Sequence, residues 1–250
     1  MENPSTNHYS ISAVETALEL LEVFGEVEGE LCITRLAERL GTTKSRIFRL
    51  MATFEQKGYV EKSKLHGKYG IGISAYETSR KLLSRMALLN KSKPVMEKLA
   101  RECAESIYLA VPVGDDILFL EMVSTSQKIQ AIPLVGKRYP LKKVAPGAVV
   151  FAYSKLGKAL FGEWAVTREQ GYLIDHDKLA AGLTSVALPL FSQHNEVIGS
   201  LCLIGPSFRL SEEEIKKTHI SRLQFAASLV SAQLGYLDKD IKIGWSDRTS

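Results

Sequence analysis

The sequence predicts an α+β protein of two domains, in which a small helical N-terminal domain is joined by a linker helix to a domain with an antiparallel sheet and flanking helices. Three observations predict this class. Apolar residues recur at helical spacing up to about residue 56, two short strand-like segments follow, and from Ser106 onward short runs rich in Val, Ile and Leu alternate with turn residues. A chain of 250 residues, 45% of them hydrophobic, is long enough for two modest cores.

The first two helices are short and lie close together in the sequence. Apolar spacing predicts one helix over about 13–24, and Ser12 with Glu15 has the form of a capping box at its start. The stretch "ITRLAERLG" predicts the second, because Gly41 stands at the expected C-terminal cap. A tight turn is therefore expected between this helix and the next one.

The third helix has two distinct faces. In "TTKSRIFRLMATFEQ" one stripe is apolar and is formed by Ile47, Leu50, Met51 and Phe54. The opposite face is small, basic and amide-bearing, and it is formed by Ser45, Arg49, Ala52 and Gln56. This face lacks the alternating Glu and Lys that are typical of a merely solvated helix.

Two strand-like pieces, "GYVEK" and "KYGIG", follow this helix and are joined by the polar turn "SKLHG". Short helix, tight turn, basic helix and hairpin together predict a winged helix-turn-helix, whose second helix enters the major groove of DNA. Nine basic and three acidic residues give residues 31–72 a net charge of +6, whereas the whole chain carries +4, so the rest sums to −2. Such a concentration of positive charge favours contact with a polyanion.

Side chains for DNA contact can be assigned from their chemistry. Arg49 suits guanine O6 and N7, and Ser45 or Gln56 suits other base edges. Lys44 and Arg46 near the start of the helix, with Lys64 and Lys68 in the wing, suit phosphates. The complete set of candidates is Thr43, Lys44, Ser45, Arg46, Arg49, Gln56, Lys64 and Lys68. A winged helix used for protein contact, or a basic face that is only solvated, remains an alternative.

The rest of the chain predicts a linker and a second domain. A linker helix is expected over about 73–89, with a new helix after an interruption at Pro94. Strands are expected in "IYLAVPVG", "DILFLEMVS", "KIQAIPLVG", "SVALPLFS" and "VIGSLCLIG", with helices over 147–161 and about 212–236. The predicted boundaries are 8–73 for the DNA-binding domain, 74–91 for the linker helix, 92–238 for the second domain and 239–250 for a polar tail.

Several protein classes are disfavoured by what the sequence lacks. The N-terminus has no secretory signal pattern and no run is long enough to cross a membrane, which predicts a cytoplasmic protein. Three widely spaced cysteines and five scattered histidines form neither a disulfide framework nor a metal site, and we expect no cofactor. Enzymatic motifs are missing, and a nucleophilic Cys202 would have no base that the sequence identifies.

The stretches "AVETALELLEVF", "LCITRLAERLGTTKSRIFRLMATFEQKGYVEK" and "GKYGIG" resemble the N-terminal domain of the IclR family of bacterial transcriptional regulators. The later stretches "GKRYPLKKVAPGAVVFA", "REQGYLIDHDKLAAGLTSVALPLF" and "VIGSLCLIGPSFRLS" resemble that family's effector-binding domain. The resemblance implies a GAF-like or PAS-like sheet that holds a small organic acid. It further implies a regulator that binds operator DNA as a dimer or a dimer of dimers, with its affinity tuned by that effector.

The resemblance also implies an effector site, in which a helix N-terminus and an acidic residue hold the ligand. Position by position, it implies Ala145, Gly147, Asp175, Ser185, Cys202 and Ile204. Lys142, in a basic cluster just before the pocket helix, is a further candidate for attracting an acid. Because Cys202 and Ile204 stand where the family commonly has polar residues, we expect a less polar pocket suited to aromatic or branched acids. Cys202 as core, Gly147 as a packing residue, and a second domain that is only an oligomerisation scaffold remain alternatives.

Overall fold

The computed structural model describes residues 10–27, 29–63, 67–131, 133–160, 162 and 164–237, and the chain divides into two compact units between Arg85 and Met86. The N-terminal unit consists of three helices, a two-stranded hairpin and a fourth helix. These elements are α1 (Ser12–Glu26), α2 (Ile33–Arg39), α3 (Lys44–Gln56), β1 (Val60–Lys62), β2 (Tyr69–Ile71) and α4 (Ile73–Leu83). Their order is the winged helix-turn-helix that the sequence predicts.

One apolar core holds this N-terminal unit together. The stripe of α3 packs against α1, α2 and the hairpin, and Ile47 and Met51 are fully buried. The two strands are antiparallel, with Val60 opposite Ile71. Gly41 adopts a φ of +58° after α2, a left-handed conformation that glycine tolerates best. The predicted glycine turn before α3 is therefore confirmed.

The predicted capping box at the start of α1 is wrong. The helix already includes Ser12, its N-cap is Ile11, and no side chain caps it. The Ser12 carbonyl accepts a hydrogen bond from the Thr16 hydroxyl at 2.9 Å, as expected of a residue inside the first turn. The Ser12 hydroxyl instead accepts from Arg46 of α3.

The predicted single linker helix over 73–89 is also wrong. Helix α4 ends at Leu83, and a separate helix, α5 (Ala87–Cys103), runs through Pro94 without interruption. A proline inside a helix costs about 3 kcal/mol, and burial of apolar side chains offsets this cost. The buried apolar side chains around and after the proline are Leu89, Val95, Met96, Leu99 and Ala100.

The C-terminal unit contains a six-stranded antiparallel sheet with strand order β5-β4-β3-β8-β7-β6. Its strands are β3 (Ser106–Val113), β4 (Asp116–Val123), β5 (Arg138–Pro140), β6 (Leu173–His176), β7 (Leu183–Phe191) and β8 (Val197–Pro206). Its helices after α5 are α6 (Ala145–Tyr153), α7 (Lys155–Ala159), α8 (Ala165–Gln170), the single turn α9 (Glu212–Glu214), a π-helix (Ile215–His219) and α10 (Ile220–Gln233). The α+β class with an antiparallel sheet is confirmed.

The sheet lies between two helical layers. Helix α6 packs on one face, where its Ala145 and Val149 join a cluster with Tyr108, Ala187 and Cys202 of the strands. Helices α5 and α10 pack against each other and against the strands. Because successive strand side chains point to opposite faces, the long central strands are buried on both sides.

Three segments of this unit differ from their predictions. Among the described residues of 128–136 there is no strand, and the short β5 pairs with β4 in its place. The helix predicted over 147–161 begins at Ala145 and breaks at Ser154, whose hydroxyl accepts from the Gly157 N–H and so caps α7. The last helix does open with Ser211 accepting from the Glu214 N–H, but it contains the π-helical turn.

Candidate DNA-binding surface and effector site

The outward face of α3 lies where the helical periodicity predicts. Ser45, Arg49, Ala52 and Gln56 are all exposed, directly opposite the buried stripe. Lys44 is exposed beside them, and Lys68 is exposed just before β2. Within the described part of the chain, neither Lys44 nor Arg49 forms an ion pair. Their charges therefore stay available to an external anion, whereas Lys64 lies outside the described residues.

Two of the predicted DNA-contacting residues have structural tasks. Thr43 caps α3, because its hydroxyl accepts a hydrogen bond from the Arg46 N–H at 3.3 Å. The Arg46 guanidinium donates to the Ser12 carbonyl at 2.7 Å and to the Ser12 hydroxyl at 2.6 Å. Arg46 thus ties α3 to the start of α1, a contact between residues 34 positions apart that sequence spacing does not reveal.

Four of the predicted effector-site residues are brought together on one face of the sheet. Asp175 is paired with Ser185, and Ser185 with Ile204, so these three form one row across β6, β7 and β8. Cys202 lies two residues from Ile204 and therefore points to the same face, towards α6. Ser185, Cys202 and Ile204 are all fully buried.

Asp175 caps the start of α6 with its own carboxylate. The Ala145 N–H donates to Oδ2, and the Ser185 hydroxyl donates to Oδ1 at 2.6 Å. A carboxylate at a helix N-terminus is favoured by the free N–H groups and by the helix dipole. Burial nevertheless raises the pKa of Asp175, against the opposing effect of both hydrogen bonds. The anion position expected for a ligand is occupied here by a side chain of the protein.

Gly147 and Lys142 both have packing contacts in this structure, and their roles in effector binding stay predictions. A Cβ on Gly147 would lie 2.1 Å from the Leu141 carbonyl oxygen, so glycine is needed there for close backbone packing. The Lys142 ammonium lies 4.3 Å from the centroid of the Phe151 ring, in a cation–π contact. Phe151 is six residues, or about 9 Å, along α6 from Ala145. Lys142 is thus directed away from the carboxylate at the helix start.

Cys202 is a buried packing residue with a polar contact. Its Sγ donates to the Ser200 hydroxyl at 3.5 Å, and that hydroxyl donates to the Pro146 carbonyl at 2.9 Å. Burial raises the pKa of Cys202 to about 12, so the thiol is protonated at neutral pH. This short chain links β8 to the first turn of α6 and leaves no thiolate for nucleophilic chemistry.

Three aromatic side chains near this face were missed by the sequence reasoning. Tyr108 meets Phe119 edge to face with ring centroids 5.6 Å apart, and Phe119 meets Tyr139 in the same way at 5.8 Å. Tyr108 is directly paired with Cys202, so its ring lies on the face that α6 covers. Strand alternation predicts which residues of β3 share a face with Tyr108. It does not predict that Cys202 lies on the same face, because that depends on the pairing of β3 with β8.

In the ranges that the structure describes, no group of three His, Cys, Asp or Glu side chains is placed to hold a metal ion. No helix in those same ranges is both long and apolar enough to cross a bilayer.

Family models match both units of the chain. The model described as IclR helix-turn-helix domain matches residues 13–64, and the model described as bacterial transcriptional regulator IclR C-terminal matches residues 80–159 and 156–232. A curated relative, the HTH-type transcriptional regulator KdgR of Escherichia coli strain K12, is 29% identical over 251 residues. That alignment covers 92% of this chain and 95% of the relative.

Solved structures share the fold over most of the chain. An IclR transcriptional regulator from Alicyclobacillus acidocaldarius is 20% identical with a TM-score of 0.81, over 91% of this chain and all of the other. An IclR homologue from Microbacterium hydrocarbonoxydans, crystallised with 4-hydroxybenzoate, is 22% identical with a TM-score of 0.75. That match covers 89% of this chain and 99% of the homologue. At such identities the likeness supports the fold.

Proposed function

The chain belongs to the IclR family of bacterial transcriptional regulators, and we propose that it binds operator DNA through α3 and the hairpin under control of a small organic acid. The family consists of DNA-binding regulators rather than enzymes. The observation that carries the proposal is the exposed basic face of α3, opposite its buried stripe. We assign DNA binding to residues 8–73 and effector binding to residues 92–238, with the segment 74–91 between them.

In this proposal, exposed side chains of α3 contact the base edges, and lysines of α3 and of the wing contact the phosphates. Arg49 reads a guanine, Ser45 and Gln56 contact base edges, and Lys44, Lys64 and Lys68 contact phosphates. Thr43 and Arg46 act mainly by fixing the start of α3, as their hydrogen bonds to the backbone and to Ser12 indicate. The residues closest to DNA therefore differ from those that set the angle of the helix.

A dimer is proposed because one recognition helix contacts few base pairs and twofold symmetry presents two of them. The start of α1 carries an exposed apolar stripe formed by the N-cap Ile11 and by Val14 and Leu18, which are 66%, 51% and 57% exposed. Exposed apolar patches of this kind mark association surfaces. Sedimentation of the full chain at micromolar concentration, with and without DNA, tests this, and a monomer under both conditions would refute it.

The proposed effector is an aromatic or branched acid bound between α6 and the sheet, near Asp175 and Ser185. Tyr108, Phe119 and Ile204 are fully buried there and give an apolar surrounding, in which each Å² of ligand surface removed from water contributes about 25 cal/mol. The 4-hydroxybenzoate bound by the Microbacterium homologue supports this ligand class.

One observation favours a second candidate function, in which the C-terminal unit serves only as an oligomerisation scaffold. Asp175 already occupies the start of α6, and Cys202 and Ile204 are buried in the core. Both functions include DNA binding, but only the first includes a ligand. The alternative therefore concerns the C-terminal unit alone.

The experiment is a thermal-shift and calorimetric screen of metabolite acids against the full chain, repeated on Ile204→Ser. We expect saturable binding, with aromatic or branched acids preferred over two- and three-carbon keto acids, and a changed ranking in the variant. Each hit is then tested for a change in operator affinity at fixed salt concentration. No saturable ligand would favour the scaffold, and a preference for small keto acids would contradict the proposed apolar pocket.

A further inference from the structure

One side chain of α3 is exposed although its chemistry favours burial. Phe48 is 54% exposed, whereas Ile47 and Met51 of the same helix are fully buried. At about 100° per residue, Phe48 lies between the buried stripe and the outward face. The sequence pattern shows where Phe48 lies on the helix. Only the structure shows that the rest of the N-terminal unit leaves its side chain exposed.

The surroundings of Phe48 belong to the proposed DNA surface. Lys44 and Ala52, four residues to either side, lie in the same column of the helix and are exposed. Arg49 and Ser45 form the next column. Phe48 is therefore the one exposed large apolar side chain of α3, bordered by Lys44, Ala52 and the exposed Glu55 rather than by a continuous apolar patch.

The apolar stripe of α1 is not an extension of this aromatic surface. The Arg46 guanidinium binds Ser12, so the start of α1 lies on the Arg46 side of α3. Arg46 and Phe48 are two residues apart, which places them about 160° apart around the helix axis. Phe48 consequently faces away from the α1 stripe that we assign to self-association.

We propose that Phe48 determines sequence specificity by packing against thymine methyl groups in the major groove. The 5-methyl group of thymine is the apolar feature that distinguishes this base edge, and phenylalanine is among the side chains suited to contact it. The assignment rests on the proposed entry of α3 into the groove. Lys44 and Arg49 on either side supply the phosphate and guanine contacts that would hold the ring against the bases.

The experiment begins with selection of a high-affinity site from random duplex DNA by the full-length protein. Each thymine of that site is then replaced by deoxyuridine, which keeps base pairing and removes only the methyl group. We expect one or two positions in each half-site to lose about fourfold in affinity, since a buried methyl-sized group contributes about 0.8 kcal/mol. The same substitutions are measured on Phe48→Ala in a double-mutant cycle.

The expected result is coupling between the protein and DNA changes. Phe48→Ala should weaken binding to the thymine site and become insensitive to uracil at the positions that matter to the native protein. Phe225→Ala is the matched control, because Phe225 is 67% exposed on α10 in the other unit and should show no coupling. Phe48→Leu should keep part of the discrimination.

Three results would overturn the assignment. Equal uracil effects in the native protein and in Phe48→Ala would exclude methyl contact. A change of oligomeric state in Phe48→Ala, measured by sedimentation, would make Phe48 a protein-contact residue. Failure of the native protein to select any DNA would overturn the proposed function and this assignment together, whereas a selected site without coupling would overturn the role of Phe48 alone.

Discussion

The α3 surface and the region around the start of α6 deal with polar groups in opposite ways. On α3, Lys44 and Arg49 extend into solvent, and no ion pair within the described residues engages them. At α6, the Asp175 carboxylate, the Ala145 N–H and the Ser185 hydroxyl satisfy one another in the interior. On α3 the two charged groups can therefore bind an external partner. At the start of α6 the polar groups already bind one another, and their hydrogen bonds contribute to the stability of the fold.

Substitutions in the two regions should therefore separate into two groups. Changes to exposed side chains of α3 should alter DNA affinity and leave the free energy of unfolding nearly unchanged. Changes to buried groups of the C-terminal unit should lower the free energy of unfolding of that unit. Stability should be followed through the unfolding transition of the C-terminal unit itself, because a two-domain chain need not unfold in one step.

The largest effect is expected for Arg209→Met. Arg209 donates to both carboxylate oxygens of Glu105, which is 4% exposed, and its Nη2 also donates to the Ile129 carbonyl. Removing the cation leaves a buried carboxylate unpaired, at a cost of about 3–5 kcal/mol. Denaturant unfolding should show this loss, and Glu105→Leu combined with Arg209→Met should recover much of it.

Lys216→Met is the control for that prediction, because the Lys216–Glu212 pair lies on the surface. Its melting temperature should stay close to that of the native protein. Equal destabilisation by Arg209→Met and Lys216→Met would contradict the prediction, because it would mean that the surface ion pair contributes as much to stability as the buried one.

Gly147→Ala should destabilise the C-terminal unit by about 1–3 kcal/mol, because overpacking displaces backbone. The new Cβ would meet the Leu141 carbonyl oxygen at 2.1 Å. Gly25→Ala on α1 is the matched change, since nothing lies within 4 Å of its Cβ position. That control should be neutral or stabilise α1 by up to about 1 kcal/mol. An unchanged unfolding midpoint in Gly147→Ala would show that Leu141 moves freely.

Arg49→Ala should cost about 1–3 kcal/mol of affinity for the selected site, with unfolding unchanged. Lys68→Ala should weaken binding to all DNA sequences alike and lower the slope of log affinity against log salt by about one unit. Fluorescence anisotropy over a salt series distinguishes the two. Base readout by Arg49 would be rejected if its loss weakened specific and non-specific DNA to the same extent.

The smallest effect concerns Asp175 and pH. Burial raises the pKa of Asp175 in the folded state above its ordinary value of 3.8, so folding favours the protonated form. Its contribution to stability is then present below the unfolded pKa and is lost as pH rises through the folded pKa. Asp175→Asn, whose amide can also bond Ala145 and Ser185, should remove this dependence.

The measurement for Asp175→Asn is the unfolding free energy of the C-terminal unit between about pH 4 and pH 8. The variant should gain stability relative to the native protein as pH rises, and the gain should then level off. A difference that stays constant across the range would show that Asp175 titrates at the same pH in the folded and unfolded states.

Local periodicity was enough to predict the main elements around the proposed DNA surface. The stripe containing Ile47 and Met51 and the outward face containing Arg49 follow from helix geometry alone. The long strands β3, β4, β7 and β8 were likewise indicated by their apolar runs. Pro94 shows where local rules fail, because buried packing of α5 outweighed the preference to break the helix there.

By itself, then, the sequence determined the winged helix-turn-helix, the four long strands of the sheet, the two faces of α3 and the family to which the chain belongs. Only the tertiary structure decided that Asp175 caps α6, that Arg46 binds Ser12 and that Lys142 lies over Phe151. The physical reason is range. Periodicity reports which side of an element is apolar, whereas the partner of a polar side chain depends on strand pairing and packing between residues that are distant in the chain.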